Sequence, residues 1–163
     1  MNSKIIILTG EIQTGKTSLL QQFCKQRKDT AGILTPIFNN KRVFYDIADN
    51  RFFNMEATGN EEKIAIGKYL FSTASFEKAN DLLLTESKRT DIRFLILDEI
   101  GPLEIRHNKG LYECLKKIVS VAFPFTLILV VRQPLVNEMV SLFKLNTPAV
   151  LNLQQMKSYF EGL

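Results

Sequence analysis

The stretch GEIQTGKT at residues 10–17 decides the fold that the sequence predicts. It fits the pattern G-x-x-x-x-G-K-[ST], in which glycines let the backbone fold tightly around an anion without a clashing Cβ atom. The apolar, β-branched run KIIILT at residues 4–9 predicts a strand before it, and residues 16–28 predict a helix after it. Because free N–H groups and the positive end of the helix dipole then point at the turn, this order indicates a phosphate-binding loop.

The residues of this loop have distinct expected roles toward a nucleotide. Lys16 is expected to reach the β- and γ-phosphates, and Thr17 is expected to give its hydroxyl to Mg²⁺. A chance glycine turn is the alternative interpretation, and the correct flanking strand and helix argue against it. The predicted phosphate-binding residues are Gly10, Glu11, Ile12, Gln13, Thr14, Gly15, Lys16, Thr17 and Ser18.

Composition and length favour an ordinary soluble protein. The 163 residues are 45% hydrophobic and 23% charged, which predicts a single domain over residues 1–163. The formal charge of +4 is mild and no Lys/Arg block stands out, so no nucleic-acid partner is expected. Cys24 and Cys114 lie among apolar residues outside any C-x-x-C pair, which indicates buried free thiols in a reducing compartment. Neither a signal-peptide core nor a membrane-spanning run is found, so we expect a cytoplasmic protein.

The remaining chain alternates predicted strands and helices. Strands that are apolar on both faces and separated by helices indicate an α/β fold, with a mostly parallel sheet flanked by helices on both faces. The runs at 42–47 and 51–55, with Asp49-Asn50 as hairpin punctuation, predict a small antiparallel insertion after the second strand. The other predicted strands are 31–38, 67–72, 93–99, 125–131 and 149–153, and the other predicted helices are 75–89 capped by Ser75, 109–122, 134–145 and 154–161, with a loop at 58–63.

A second motif, FLILDE at residues 94–99, has the form of a Walker B strand. Four apolar residues bury the strand, and Asp98 follows at its carboxyl end, where ligands bind in open α/β sheets. Asp98 is expected to hold Mg²⁺, usually through water, and Glu99 is expected to orient or deprotonate an attacking water. The alternative is an ordinary strand end with solvated acids, and the phosphate-binding loop favours the Walker B interpretation.

Several segments resemble one family of small P-loop nucleoside triphosphatases, known from thermophilic members and a human cancer-related nucleoside-triphosphatase. DEIGPLE at residues 98–104 resembles the family signature D-E-I-G-x-M-E. AGILT at 31–35, GKY at 67–69 and RQPLV at 132–136 resemble further family segments. The resemblance extends from about residue 5 to about residue 140.

This resemblance implies a P-loop NTPase fold and Mg²⁺-dependent hydrolysis of nucleoside 5′-triphosphates to diphosphate and phosphate, with broad base tolerance. It implies catalytic roles for Lys16 and Glu99, and it makes Arg132 the candidate for stabilising charge in the transition state. One departure concerns PIF at residues 36–38, which stands where the family carries an acidic, arginine-bearing segment. Arg42 is the nearest arginine to that segment and a weaker candidate for a phosphate contact.

Two other functions are compatible with the same motifs. A nucleotide or small-molecule kinase would use the same loop, but it needs an acceptor pocket and usually a lid with several arginines. The segment after Arg132 has only Lys144 before the last predicted strand, which weighs against a large basic lid. A nucleotide-dependent regulatory module with a protein partner is the third interpretation, because phosphate-binding loops serve switches as well as enzymes.

Overall fold

The computed structural model describes residues 4–163, and its central element is a mixed sheet that begins with the strand before GEIQTGKT. In chain order, the elements alternate between strands and helices, with one 3₁₀ turn at Gln133–Leu135. They are β1 (Lys4–Gly10), α1 (Lys16–Lys25), β2 (Thr30–Leu34), β3 (Ile37–Phe38), β4 (Lys41–Asp46), β5 (Arg51–Asn54), β6 (Lys63–Ile66), β7 (Tyr69–Ser72), α2 (Thr73–Glu86), β8 (Phe94–Ile100), α3 (Pro102–Ile105), α4 (Tyr112–Val119), β9 (Thr126–Arg132), α5 (Val136–Leu142), β10 (Ala149–Leu151) and α6 (Leu153–Glu161).

The strand order brings five carboxyl ends to one edge of the sheet. The order is β10-β1-β9-β8-β2-β4-β3, in which the first five strands are parallel and β4 runs antiparallel to β2, β3 and β5. Strand β9 therefore lies between β1, which leads into GEIQTGKT, and β8, which carries Asp98. Open α/β sheets bind ligands at such an edge, so the topology positions a site there.

Helices cover both faces of the sheet, and alternate residues of the strands point to each face. In β1, Ile6 and Leu8 pack with residues of α1 and α6, including Leu20, whereas Ile7 packs in a second cluster with residues of α2, α4 and α5. All three β1 side chains are fully buried, as expected for a parallel sheet covered on both sides. The predicted α/β fold class, with its antiparallel insertion β3–β5, is confirmed.

Several predicted boundaries are wrong because local hydrogen bonds end an element earlier than its apolar pattern does. The strand predicted over residues 31–38 is two strands, β2 and β3, interrupted at Thr35-Pro36. Pro36 has no N–H for the ladder, and the Thr35 N–H donates to the Asp98 carboxylate instead.

The starts of two helices also differ from the prediction. The cap of α2 is Ser72, whose hydroxyl accepts a hydrogen bond from the N–H of Ser75, the residue predicted as the cap. The helix predicted from residue 109 begins at Tyr112, because Gly110 adopts a left-handed φ of +64° that ends any helix across it. The short helix α3 before it was not predicted.

The hairpin of β6 and β7 corrects one predicted loop. Lys63, the last residue of the loop predicted at 58–63, begins β6, and β6 pairs antiparallel with β7 in a separate two-stranded sheet. The two strands are joined by Gly67-Lys68, where Gly67 has a φ of +57°. The alternation of Ile64 and Ile66 with smaller or polar neighbours was the signal for this strand.

Three further expectations can be compared with the described chain. Cys24 and Cys114 are buried free thiols, as predicted. Within residues 4–163, no helix is both long and apolar enough to cross a bilayer. The single domain over residues 1–163 stays a prediction, and its first three residues lie outside the described part of the chain.

Candidate active site

The loop GEIQTGKT turns between the end of β1 and the first residue of α1 through backbone conformations that favour glycine. Gly10 and Gly15 have φ values of +147° and +92°, and Gln13 lies in the left-handed region at +60°. Gly15 is the N-cap of α1 and no side chain caps this helix. The first N–H groups of α1 therefore keep their donor capacity for an anion.

Lys16 is held by oxygen atoms of this same loop. Its Nζ donates to the carbonyl of Gly10 at 3.3 Å, to the carbonyl of Glu11 and to the hydroxyl of Thr14 at 3.2 Å. These acceptors are uncharged, and a phosphate would be a stronger partner because its negative charge also attracts the ammonium. The ammonium is thus available to a phosphate bound in the loop.

Asp98 joins the start of α1 to the end of β2. Its Oδ2 accepts hydrogen bonds from the Thr17 hydroxyl at 2.8 Å, the Thr35 N–H at 3.0 Å and the Thr35 hydroxyl at 3.2 Å. The side chain is 1% exposed. Burial, reinforced by the nearby charge of Glu99, raises the pKa of Asp98 above its usual range, although these three donors oppose the shift.

The second oxygen of Asp98 is a buried acceptor without a partner, and this fits a cation. Oδ1 has no hydrogen bond among the described residues, and a bare carboxylate oxygen in a buried site is unfavourable unless a donor or a cation compensates it. Within residues 4–163, no group of three or more His, Cys, Asp or Glu side chains could hold a metal by itself. A hard cation beside Thr17 and Asp98 would therefore need phosphate and water oxygens as well, which is how Mg²⁺ is usually held.

Glu99 occupies a distortion of β8. The register between β8 and β9 shifts between Leu97 and Ile100, and Glu99 has a φ of +58°, which is strained for a residue with a side chain. The bulge breaks the strict alternation of the strand, so both Asp98 and Glu99 line the cavity above the loop. The Glu99 carboxylate forms an ion pair with Arg42 of β4.

Arg132 is the last residue of β9 and lies opposite Gly10 in the β1–β9 register. It is exposed, and no carboxylate of the described residues forms an ion pair with it. Arg132 lines a cavity of about 360 Å³ together with the loop, Arg42, Asp98 and Glu99. All the residues predicted for phosphate, metal and catalysis except Glu11 line this one cavity, and their roles stay predictions.

A family model described as NTPase matches residues 5–156, which is most of the chain. The chain belongs to the NTPase family. The resemblance found in the sequence is thereby confirmed. The nucleoside-triphosphatase THEP1 of Archaeoglobus fulgidus is 30% identical over 111 residues, which cover 64% of this chain and 64% of that relative. The match therefore spans slightly less than two thirds of the relative's length.

Two solved structures share the fold of this NTPase-family chain. The crystal structure of THEP1 from the hyperthermophile Aquifex aeolicus has a TM-score of 0.75 at 20% identity, covering 97% of this chain and 95% of that one. The solution structure of a human cancer-related nucleoside triphosphatase has a TM-score of 0.69 at 19% identity, covering 98% and 95%. At these identities the likeness concerns the fold, and it agrees with the predicted P-loop NTPase architecture.

Two features of this NTPase-family site were not predicted from the sequence. No role was predicted for Thr35, the last residue of AGILT, yet its N–H and its hydroxyl both donate to Asp98. A hydroxyl residue directly after a buried strand was the available signal. The ion pair of Arg42 with Glu99 had no such signal, because the two residues are 57 positions apart.

Proposed function

We propose that this chain hydrolyses the β–γ anhydride bond of nucleoside 5′-triphosphates, including ATP and GTP, to the diphosphate and phosphate in a Mg²⁺-dependent reaction. The observation that carries the proposal is the 2.8 Å hydrogen bond from Thr17 to Asp98, which joins the phosphate-binding loop to the Walker B carboxylate. Membership in the NTPase family supports the hydrolase class.

We assign nucleotide and metal binding to the loop and to Thr17 and Asp98, which the hydrogen bond joins. Backbone N–H groups of residues 10–18 hold the phosphates, and Lys16 neutralises their charge between the β and γ positions. Thr17 and Asp98 would hold Mg²⁺ together with phosphate and water oxygens, and the ion would supply positive charge to the phosphates. The partnerless Oδ1 of Asp98 supports this role.

The catalytic role falls to Glu99 and Arg132. Glu99 accepts a hydrogen bond from the attacking water and orients it in line with the γ-phosphate, a contribution of about 10²–10⁴ in rate for a well-placed acid or base. Arg132 stabilises charge on the phosphoryl group in transfer, for which an arginine contributes about 10³–10⁵. Its exposure and its lack of a carboxylate partner among the described residues leave it free to reach a substrate.

The test is phosphate release from ATP, GTP, CTP and UTP with Mg²⁺, comparing the wild type with Lys16→Ala. We expect turnover of several triphosphates and its loss in Lys16→Ala, with Lys88→Ala, an exposed lysine outside the cavity, as the matched control. Nucleotide binding without phosphate release would contradict the proposal and favour the kinase or regulatory alternatives. The cytoplasmic location and the absence of nucleic-acid and membrane partners stay predictions from the sequence.

A further inference from the structure

The ion pair between Arg42 and Glu99 lies inside the candidate site, at a point where the loop, the metal-side carboxylate and Arg132 also meet. The Nη1 of Arg42 donates to Oε2 of Glu99, and both side chains line the cavity above GEIQTGKT. The Arg42 side chain is 14% exposed and that of Glu99 is 28% exposed. The pair is therefore better shielded from water than a surface salt bridge, whose contribution is usually small.

Arg42 is fixed from its own side of the cavity. It belongs to β4, which is paired with β3 at this point through the register of Arg42 and Ile37. Its N–H donates to the Glu56 carboxylate at 2.9 Å, and its guanidinium lies 5.8 Å from the centre of the Tyr69 ring. These contacts come from β3, from Glu56 after β5 and from the β6–β7 hairpin, so three separate parts of the chain hold Arg42 beside Glu99.

Glu99 has little else to fix its side chain. Its backbone is held in the β8 bulge with a φ of +58°, but a glutamate has three rotatable side-chain bonds, and ordering them costs conformational entropy. Among the described residues, Arg42 is its hydrogen-bond partner through Oε2, and Oε1 has none. One oxygen is thus engaged and the other remains able to accept from a water.

The two arginines of the cavity differ in whether a carboxylate binds them. Arg42 is committed to Glu99, whereas Arg132 has no carboxylate partner in residues 4–163. A guanidinium already bound to a carboxylate is a poor candidate for moving onto a phosphate, because it would leave that carboxylate uncompensated beside the triphosphate. This difference assigns the phosphate contact to Arg132 and a separate task to Arg42.

We propose that Arg42 is a positioning residue, whose ion pair holds the Glu99 carboxylate so that its free oxygen orients the attacking water. This inference rests on the proposed hydrolysis. Arg42 acts through Glu99 and contributes to turnover rather than to nucleotide binding. It also gives a function to the antiparallel insertion, which contains no residue of GEIQTGKT or FLILDE.

The decisive variant is Arg42→Lys, because it keeps the positive charge and removes the planar guanidinium that fixes the carboxylate. We expect kcat for ATP to fall at least about tenfold while KM stays within about threefold of the wild type, since the charge near the phosphates is retained. Arg89→Lys is the matched control, because Arg89 also pairs with carboxylates but lies before β8, at the opposite edge of the sheet. This control should leave both constants unchanged.

A double-mutant comparison separates positioning from direct contact. If Arg42 acts only through Glu99, adding Arg42→Lys to Glu99→Gln should change kcat by less than about twofold. Unchanged turnover in Arg42→Lys, or a full further loss in the double variant, would overturn the inference and leave the proposed hydrolysis intact. A wild-type protein without phosphate release would overturn the hydrolysis and the inference with it. Should Arg42→Lys lose its cooperative thermal transition, Arg42→Gln takes its place in the same comparison.

Discussion

The buried carboxylate of Asp98 is expected to lower the stability of the fold and to be needed for the proposed function. It is fully buried, its pKa is raised by burial, and one of its oxygens has no partner among the described residues. We expect Asp98→Asn to raise the melting temperature by about 2–4 °C, the equivalent of about 1 kcal/mol in a chain of this length, because a neutral amide is cheaper to bury than a carboxylate.

The same substitution should reduce Mg²⁺-dependent phosphate release by at least about 10², since it removes the charge proposed to hold the ion. Calorimetry and a phosphate assay measure the two effects on one preparation. Asp81→Asn, on an exposed position of α2, is the control and should change neither quantity. A lower melting temperature for Asp98→Asn would show that the ionised carboxylate stabilises the fold.

Two substitutions of Glu99 separate the effect of its backbone strain on stability from the effect of its carboxylate on turnover. Its φ of +58° is unfavourable for any residue with a Cβ atom and unstrained for glycine. We expect Glu99→Gly to unfold with a free energy about 1 kcal/mol higher than Glu99→Ala, while both variants lose turnover. Urea denaturation measures the difference. Equal stability would mean that the surrounding sheet, and not the side chain at position 99, determines this conformation.

The site residues could be predicted from the sequence where they belong to a known motif. They could not be predicted where they meet only through the tertiary fold. Lys16, Thr17, Asp98 and Glu99 were chosen because their residue types follow a strand in a known order. The Arg42–Glu99 pair depends on an antiparallel insertion folding over the end of β8, and no local pattern encodes that approach. The bulge that redirects Glu99 is likewise invisible in a run of apolar residues.

Among the secondary-structure elements, β1, β8 and β9 were predicted to within one residue at each end because long apolar runs define them. The start of α1 was predicted from the loop motif, but the helix ends at Lys25, three residues before the predicted end. The errors lie at turns and short elements, such as the choice between Ser72 and Ser75 as the α2 cap. Serine is a favourable N-cap residue at either position, and which serine caps the helix depends on where β7 ends and α2 begins.

Strand β2 depends on a glycine that the apolar pattern does not single out. Gly32 has a φ of +111°, and a Cβ atom there would lie 2.0 Å from the carbonyl oxygen of Ile96 in β8. We expect Gly32→Ala to destabilise the fold by about 3 kcal/mol or more, because the clash is with backbone and one strand must shift. Because Thr35, which donates to Asp98, follows directly after β2, activity should fall as well.

Gly59→Ala is the matched control, since a Cβ atom at Gly59 meets no heavy atom within 4 Å. Its free energy of unfolding should stay within about 0.5 kcal/mol of the wild type. Guanidinium denaturation of the three proteins checks both values. A stable, active Gly32→Ala variant would mean that β2 and β8 can separate without disturbing the site.

In the whole chain, the order of the strands in the sheet brings the site residues together. This order could not be predicted from the sequence. Parallel strands carry no local mark of their neighbours, so the position of β9 between β1 and β8 could not be read from residues 126–132. This position is what sets Arg132 opposite Gly10. Thr17 still reaches Asp98 because α1, which begins after the loop, packs beside β2, the other neighbour of β8.

The stability of the folded chain should also depend on pH through Glu104. This carboxylate is buried directly after β8 in α3, where it accepts hydrogen bonds from the N–H groups of Gly101 at 3.0 Å and Leu111 at 3.1 Å. Burial raises the pKa of Glu104 to about 7 from an ordinary value of 4.5, against the effect of these two donors. The folded chain therefore holds this proton more tightly than the unfolded chain does.

A group with a raised folded pKa stabilises the fold fully below its unfolded pKa and loses that contribution as pH rises through its folded pKa. We therefore expect the free energy of unfolding to fall by up to about 3 kcal/mol between pH 4.5 and pH 7 on account of Glu104. Urea denaturation across this range measures the slope. Glu104→Gln should be less stable at pH 5, because one of the two N–H groups loses its acceptor, but its stability should vary much less with pH. If the variant keeps the full slope, then Asp98 and Asp46, whose pKa values are also raised by burial, carry it instead.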